Sequence, residues 1–300
     1  MRKILITRKL QPIAHELLSK KFQVDENLLP RPLSQEELKE AVQNYDGILS
    51  TLADKMNREV LERATRVQAI SNCAAGLDNI DTVCAQERKI AIFNLPDIVT
   101  DSTADLTFAL FLAFVRKVAQ GQKYVHDGLW RGWEPGLLLG EELRGKVFGI
   151  IGYGKIGKAV AQRAVGFGMK VVAVSRTGGT TLGELCNLAD YISLHVPLTP
   201  ETEQMIDLTL MRKMKKKPVL INMSRGRVIH TDDLVQALQT GLIRGAVLDV
   251  TDPEPIPAHH PLCLLDNCMI VPHIGSATIE CRTLMAQKAA ENLIGYFDAQ

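Results

Sequence analysis

Short apolar runs alternate with helical periodicities along the whole chain. In the first third the runs are Ile4-Leu5-Ile6, Phe22-Gln23-Val24, Gly47-Ile48-Leu49, Val67-Gln68-Ala69-Ile70 and Ile90-Ala91-Ile92. Strand-length runs separated by helical patterns predict parallel sheets with crossover helices. Ser34 followed by Glu37 has the spacing of a capping box, and Leu38, Ala41 and Val42 supply the apolar face of the helix behind it. A long helix is predicted from about Ser102 to Val118, opened by a second such spacing at Ser102 and Asp105. The irregular stretch 127–144 follows, with Trp130, Trp133, Pro135 and an apolar centre at Leu137-Leu138-Leu139. It is too long and too apolar for an idle loop, and reads equally as a core-packing excursion or a dimer-contact arm. A second unit opens with Val147-Phe148-Gly149-Ile150-Ile151 and continues through strand runs at 171–174, 191–194, 219–222, 246–249 and 269–271. An amphipathic helix over roughly 278–297 closes the chain.

The first run of the second unit leads into Gly152-Tyr153-Gly154-Lys155-Ile156-Gly157, and a helical run from Ile156 to Val165 follows. The spacing G-x-G-x-x-G is weak evidence alone. Between a strand and a helix, with five further strands behind it, it predicts a dinucleotide site in a doubly wound fold. Its first glycine allows the tight turn, and its second lets backbone approach a pyrophosphate that meets the helix N-terminus. The third lets helix pack closely on strand. An NAD enzyme carries an acid at the end of the second strand, bonding the ribose hydroxyls. This chain has Ser175-Arg176-Thr177 there instead. Arginine offers a planar fork, and the two hydroxyls further donors, to a 2′-phosphate, so NADPH is the expected cofactor. If Arg176 only stacks on adenine, NADH remains open.

Composition narrows the class. A net charge of +1 over 300 residues carries no basic surplus for a nucleic-acid partner. The basic run Lys213, Lys215, Lys216 and Lys217 reads as the cationic end of a helix before Pro218. Six cysteines (Cys73, Cys84, Cys186, Cys263, Cys268 and Cys281) form no C-x-x-C pair, so no metal site is expected and a reducing compartment is. The start of the chain has too short an apolar run for a signal peptide, and the most apolar stretch, 108–115, is too short to span a bilayer. A cytoplasmic protein with no membrane partner is expected.

Three later segments place polar groups after strand ends: Asn222-Met223-Ser224-Arg225-Gly226-Arg227, the run 248–255 containing Asp249 and Glu254, and Pro272-His273-Ile274-Gly275-Ser276-Ala277-Thr278. With the glycine turn, Ala75-Gly76-Leu77-Asp78, Thr103-Ala104-Asp105 and His195-Val196-Pro197-Leu198-Thr199, they resemble the D-isomer-specific 2-hydroxyacid dehydrogenase family over essentially the whole chain. Within it the sequence looks most like the glyoxylate/hydroxypyruvate reductases. The resemblance implies that Arg225, Glu254 and His273 are catalytic. The chemistry agrees: a 2-oxo acid needs a cation for its carboxylate, and its ketone oxygen needs a proton donor as hydride arrives. A histidine suits that exchange, and Glu254 would hold its ring and favour the charged form. Singly, each has a bland reading, as a surface ion pair, an exposed loop residue and a core histidine.

By the same resemblance Leu52, Ala75 and Gly76, with Arg225 and His273, would contact substrate. Thr103 and Asp249 would lie near the nicotinamide, Met223 and Gly275 beside the cofactor, and Pro197 and Thr202 by the adenine and its phosphate side. His195 reads as a poor catalytic candidate, and His259 and His260 as solvated loop residues.

The expected fold is thus α/β, with two doubly wound parallel-sheet domains. A flavodoxin-like substrate domain, 1–98 completed by 277–300, would accompany a Rossmann cofactor domain, 99–276. Two crossings between them would form a hinge whose closure excludes water. A homodimer through the Ser102 helix and the 127–144 arm is implied. The expected reaction is NADPH-dependent reduction of a small 2-oxo acid to the D-2-hydroxy acid. A related 2-ketogluconate or 3-phosphoglycerate dehydrogenase is the alternative. A phosphorylated substrate would require extra cations early in the chain, where only Arg31 and Lys55 stand out, and a regulatory C-terminal extension of the kind many phosphoglycerate enzymes carry is not expected. A nucleotide-sensing co-repressor is the alternative from another class, against which the lack of long disordered tails weighs.

Overall fold

The computed structural model describes residues 1–176 and 178–300, which divide into two compact units. The first combines Met1–Val99 with Ser276–Gln300. Its sheet has five parallel strands, β1 (Lys3–Ile6), β2 (Gln23–Glu26), β3 (Gly47–Ser50), β4 (Ala69–Asn72) and β5 (Ala91–Phe93), in the order β2-β1-β3-β4-β5. The crossovers carry α1 (Ile13–Ser19), α2 (Gln35–Asn44), α3 (Arg58–Leu61) and α4 (Thr82–Glu87). The capping box of α2 is formed: Glu37 N donates to Ser34 Oγ at 3.2 Å, and Ser34 N to Glu37 Oε2 at 2.7 Å. Three strands, β2, β4 and β5, start one or two residues later than the apolar pattern indicates. Phe22 and Val67 are buried, but as entry residues. Phe22 packs edge-on against Phe297 at 5.6 Å, and Val67 N donates to Val42 O. Apolarity reports burial, whereas strand assignment reports ladder hydrogen bonds, and the two part company at strand entrances.

The second unit is Thr100–Gly275. It opens with α5 (Thr100–Val115) and α6 (Val118–His126). The single long helix expected here is therefore broken, at Lys117, which adopts φ +53°. The helix also begins before Ser102, which lies in its first turn and is not the N-cap. Then follow β6 (Val147–Ile151), α7 (Lys155–Gly166), β7 (Lys170–Ser175), β8 (Gly178–Gly179), α8 (Leu182–Leu188), β9 (Tyr191–Leu194), α9 (Leu208–Met211), β10 (Val219–Asn222), α10 (Thr231–Gln239), β11 (Gly245–Leu248) and β12 (Cys268–Ile270). The sheet order is β12-β11-β10-β9-β6-β7-β8. All pairs are parallel except β7–β8. The two-glycine strand β8 has no apolar signature and was outside the six-run expectation. Its residues sit at φ +124° and +115°, and a Cβ on Gly179 would meet Ala173 O at 2.6 Å, so only glycine pairs there. The Lys213–Lys217 run follows a one-turn helix, α9, and lies in the turn before β10; it does not complement a helix end.

Successive strand residues feed opposite cores, as a sheet covered on both faces requires. Ile192, Leu220, Ala246 and Leu248 join Leu185, Met211 and Leu234 from α8, α9 and α10. Tyr191, Ile221, Val247 and Phe148 join Phe108 and Phe111 of α5 and Val160 of α7. Rings of Phe111 and Tyr191 meet edge-on at 4.6 Å. Tyr191 Oη donates to Glu141 Oε2 at 2.8 Å, and Arg244 donates to the same oxygen at 2.9 Å, anchoring the end of the 127–144 stretch. In the first unit α11 (Ile279–Asp298), capped by Thr278, packs on α1, β3 and β4. Among the described residues no helix is long and apolar enough to cross a membrane.

Candidate active site

The turn after β6 needs its glycines for different reasons. Gly152 has φ +98°, and a Cβ there would meet His195 O at 2.5 Å. A Cβ on Gly157 would meet Gly152 O at 2.1 Å, so α7 could not lie against the turn. At Gly154 a Cβ would meet nothing within 4 Å. No packing explains this glycine; bare backbone at the N-cap of α7 suits close approach of a ligand. That helix end also lacks a side-chain cap and has no acid in its first turn, whereas α2 and α8 are closed by capping boxes. An uncapped, unneutralised N-terminus presents N–H donors and positive potential, which fits the pyrophosphate of a dinucleotide. Lys155 starts the helix, and Ile156 packs on the core around Phe108.

At the end of β7, Ser175 Oγ donates to Gly178 O at 2.7 Å, so its proton is engaged within the turn. Arg176 is exposed. The Glu201 carboxyl is held below its usual range by its Thr199 hydrogen bond and a backbone N–H, helped by the Arg176 charge. Thr177 lies outside the described residues. Thr202 Oγ1 donates to Pro197 O at 2.6 Å and accepts from Thr199 N at 2.8 Å, bracing the turn that follows β9. His195 ends that strand. Its Nε2 shares a 2.8 Å hydrogen bond with Ser193 Oγ, while Nδ1 is buried without a partner among the described residues. Part of the residue keeps solvent contact, but burial of the ring nitrogens governs its charge and pushes its pKa down to about 3.

At the carboxyl ends of β10, β11 and β12 the polar segments converge. Asn222 is fully buried; its Oδ1 accepts from Ser224 N and Oγ at 3.0 and 2.8 Å, and its Nδ2 donates to Arg225 O at 2.8 Å. This side-chain-to-backbone turn reverses the chain after the strand and leaves Arg225 half-buried, its guanidinium also donating to Ser224 O. A Cβ on Gly226 would meet Thr251 O at 1.9 Å, so glycine lets the loops after β10 and β11 touch. Buried Asp249 staples the loop after β12: Oδ1 and Oδ2 accept from Ile274 N at 2.6 Å and Gly275 N at 2.9 Å. Burial holds its carboxyl above the usual range despite those bonds. Thr103, Asp249 and Gly275 come together, since a Cβ on Gly275 would lie 2.9 Å from Asp249 Oδ2 and 3.4 Å from Thr103 Oγ1. Met223 is buried in the core beside α5.

His273 sits at φ +52°, in the left-handed region, with its N–H donating to Asp249 O at 2.9 Å. Its Nδ1 lies 2.6 Å from Glu254 Oε1. Burial opposes ionisation of Glu254, but the His273 hydrogen bond and charge, Thr251 N–H and the Arg225 charge outweigh it and hold the carboxyl below the usual range. Arg225, Glu254 and His273 thus form one electrostatic group. Sequence reasoning passed over Asn222 and Thr251 as supports. An Asn after a strand, two residues before Ser, is a turn signal that could have found the first. His260, read as solvated, accepts from Leu262 N at 3.2 Å and caps a short turn of helix.

In the first unit Leu52 is exposed, and Ala75 and Gly76 are half-buried. Asn94 and Asn72 donate to the carbonyls of Ala75 and Gly76, while the N–H groups of Leu52, Ala75 and Gly76 meet no acceptor among the described residues. Arg31 is committed to a two-point pair with Glu37 at 2.7 and 2.9 Å, and Lys55 is exposed.

A doubly wound unit with a glycine turn, an open helix N-terminus and an Arg, Glu and His at its carboxyl edge defines a nicotinamide-dependent dehydrogenase. Residues 108–275 match the model of the D-isomer specific 2-hydroxyacid dehydrogenase, NAD binding domain, and the chain belongs to that oxidoreductase family. It is 40% identical to the glyoxylate reductase of Pyrococcus furiosus, covering 98% of this chain and 92% of the relative. A crystal structure of a Thermus thermophilus protein superposes with a TM-score of 0.93 at 41% identity, over 99% of this chain and 97% of that one. The NADPH-dependent glyoxylate/hydroxypyruvate reductase of Sinorhizobium meliloti, in complex with NADP and malonate, superposes at 0.88 with 28% identity, over 99% and 93%.

Proposed function

We propose that this protein reduces a small 2-oxo acid of the glyoxylate or hydroxypyruvate type to the D-2-hydroxy acid, with NADPH preferred over NADH. The observation that carries the reading is the 2.6 Å pair between His273 Nδ1 and Glu254 Oε1 at the sheet edge. With Nδ1 engaged, Nε2 is the nitrogen that gives its proton to the ketone oxygen. Glu254 fixes the ring and balances the imidazolium charge. Arg225 takes the substrate carboxylate, with the free N–H groups of Leu52, Ala75 and Gly76 as further donors. Bound in the second unit, a reduced nicotinamide would supply the hydride. Gly152, Gly154, Lys155, Ile156 and Gly157 cradle its pyrophosphate. Thr103, Met223, Asp249 and Gly275 border its nicotinamide half, and Pro197 and Thr202 its adenine. Arg176, with Ser175 and Thr177, is assigned to the 2′-phosphate, because the β7 end carries a cation in the place of the acid that would repel that charge.

We also propose a homodimer. Trp130 is 59% exposed, Trp133 85% and Leu139 66%, so the 127–144 stretch turns large apolar side chains outward, which supports an interface there. Six free cysteines suit a reducing cytoplasm. Following NADPH absorbance across a panel of 2-oxo acids tests the activity. Turnover on glyoxylate or hydroxypyruvate supports it; no turnover on any member overturns it and favours a nucleotide-sensing role.

A further inference from the structure

One hydrogen-bond chain, fully buried at Ser50, Asp54 and Asn72, ties together the two loops of the first unit that carry Leu52 and Ala75-Gly76. It starts at Asp54, which is 0% exposed. Asp54 Oδ2 accepts from Thr7 Oγ1 at 2.6 Å, Thr51 N at 2.7 Å and Thr51 Oγ1 at 2.9 Å. Asp54 N donates back to Thr51 O at 3.1 Å, so the turn 51–54 is closed from both ends, with Leu52 and Ala53 at its tip. Asn79 Nδ2 then donates to both terminal carbonyls of that turn, Thr51 O at 3.1 Å and Asp54 O at 2.9 Å. Asn79 Oδ1 accepts from Asn72 Nδ2 at 3.0 Å, and the same amide donates to Gly76 O at 3.0 Å. Ser50 Oγ donates to Asn72 Oδ1 at 3.1 Å and closes the chain onto β3.

The location is telling. In the order β2-β1-β3-β4-β5 the winding reverses between β1 and β3, and folds of this kind bind ligands beyond the carboxyl ends of the strands at such a point. Thr7 follows β1 and Thr51 follows β3. The buried carboxylate is expensive there. Its Oδ1 meets no donor among the described residues. A neutral side chain could close a four-residue turn with less desolvation. A charged acceptor makes stronger bonds and a stiffer turn. The chain fixes the spacing between the tip N–H groups at 52 and 53 and those at 75 and 76, none of which meets an acceptor among the described residues.

We propose that Asp54 is a positioning residue. Through Asn79 and Asn72 it sets the distance between the two groups of backbone donors that take the substrate carboxylate. The proposal rests on the reading of these loops as substrate-binding. The test compares wild type, Asp54→Ala, Asp54→Asn and Asn79→Ala, using NADPH with hydroxypyruvate. NADPH affinity is measured by fluorescence titration, and melting temperature is recorded alongside. Loosened donors should raise the hydroxypyruvate KM of Asp54→Ala about 10-fold or more, with kcat changed less than about 3-fold and NADPH affinity within about 2-fold. Asp54→Asn keeps an oxygen facing the same three donors but loses the charge, so its KM should fall between those of wild type and Asp54→Ala. Asn79→Ala, at a half-buried position, should raise KM about 3- to 10-fold and carries the test if Asp54→Ala does not fold. A folded Asp54→Ala or Asn79→Ala with unchanged KM overturns the proposal, as does a matching loss of NADPH affinity. Absence of turnover by the wild type overturns the substrate reading itself, and this proposal with it.

Discussion

His273 combines an unusual backbone with a specific partner. A non-glycine residue at φ +52° is uncommon, though histidine tolerates the region better than most, and such positions concentrate where function over-determines them. Its N–H on Asp249 and its Nδ1 on Glu254 together aim the ring. His273→Gln should lower kcat about 10²- to 10⁴-fold while NADPH affinity holds, as read by steady-state kinetics and fluorescence titration. His195 behaves oppositely. Its folded pKa of about 3 lies below the ordinary value of 6.5, so above pH 6.5 both folded and unfolded states are neutral. Below that, the unfolded chain takes a proton the folded chain refuses, and stability falls as pH drops toward 3. Between pH well above 6.5 and pH 5 the loss is about 2 kcal/mol. His195→Gln should lack this component, seen as a flatter dependence of melting temperature on pH; an unchanged slope would remove His195 as its source. Sequence alone put Arg225, Glu254 and His273 after strand ends. Asn222, whose partners Ser224 and Arg225 are local, carried a readable turn signal, whereas Asp54 could not be seen as a support, because only tertiary folding brings Thr7 to it.

At the scale of elements, the glycine turn separates packing from binding. Gly157→Ala collides with Gly152 O and should lose both fold stability and cofactor binding. Gly154→Ala has no steric conflict within the protein, so its melting temperature should stay within a few degrees of wild type. NADPH affinity should nonetheless fall about 10-fold or more, as the new methyl blocks backbone approach to pyrophosphate. Equal loss of stability in the two variants would contradict this division. The buried central strands β9, β10 and β6 were legible to the residue, because runs covered on both faces are continuous in apolar residues. Edges were not: β8 is two glycines held by positive φ, and α5 and α6 share a helical pattern that Lys117 interrupts without any proline or glycine to mark it.

For the whole molecule, the α/β class with two parallel-sheet units was legible from the alternation of runs, since strand-length runs separated by helical patterns call for parallel sheets covered by crossover helices. The 127–144 stretch was ambiguous, because exposed tryptophans and core tryptophans look alike in sequence. Its exposure favours an interface, and light scattering should give a dimer mass at micromolar concentration; a mass near 33.1 kDa would contradict the proposal. The central claim is reductive turnover of a 2-oxo acid with NADPH as donor. Its most direct test is kcat/KM for hydroxypyruvate measured with NADPH and with NADH at equal enzyme concentration. Higher efficiency with NADPH, abolished in His273→Gln, is the expected result; equal or better efficiency with NADH contradicts the cofactor assignment, and no turnover with either contradicts the account as a whole.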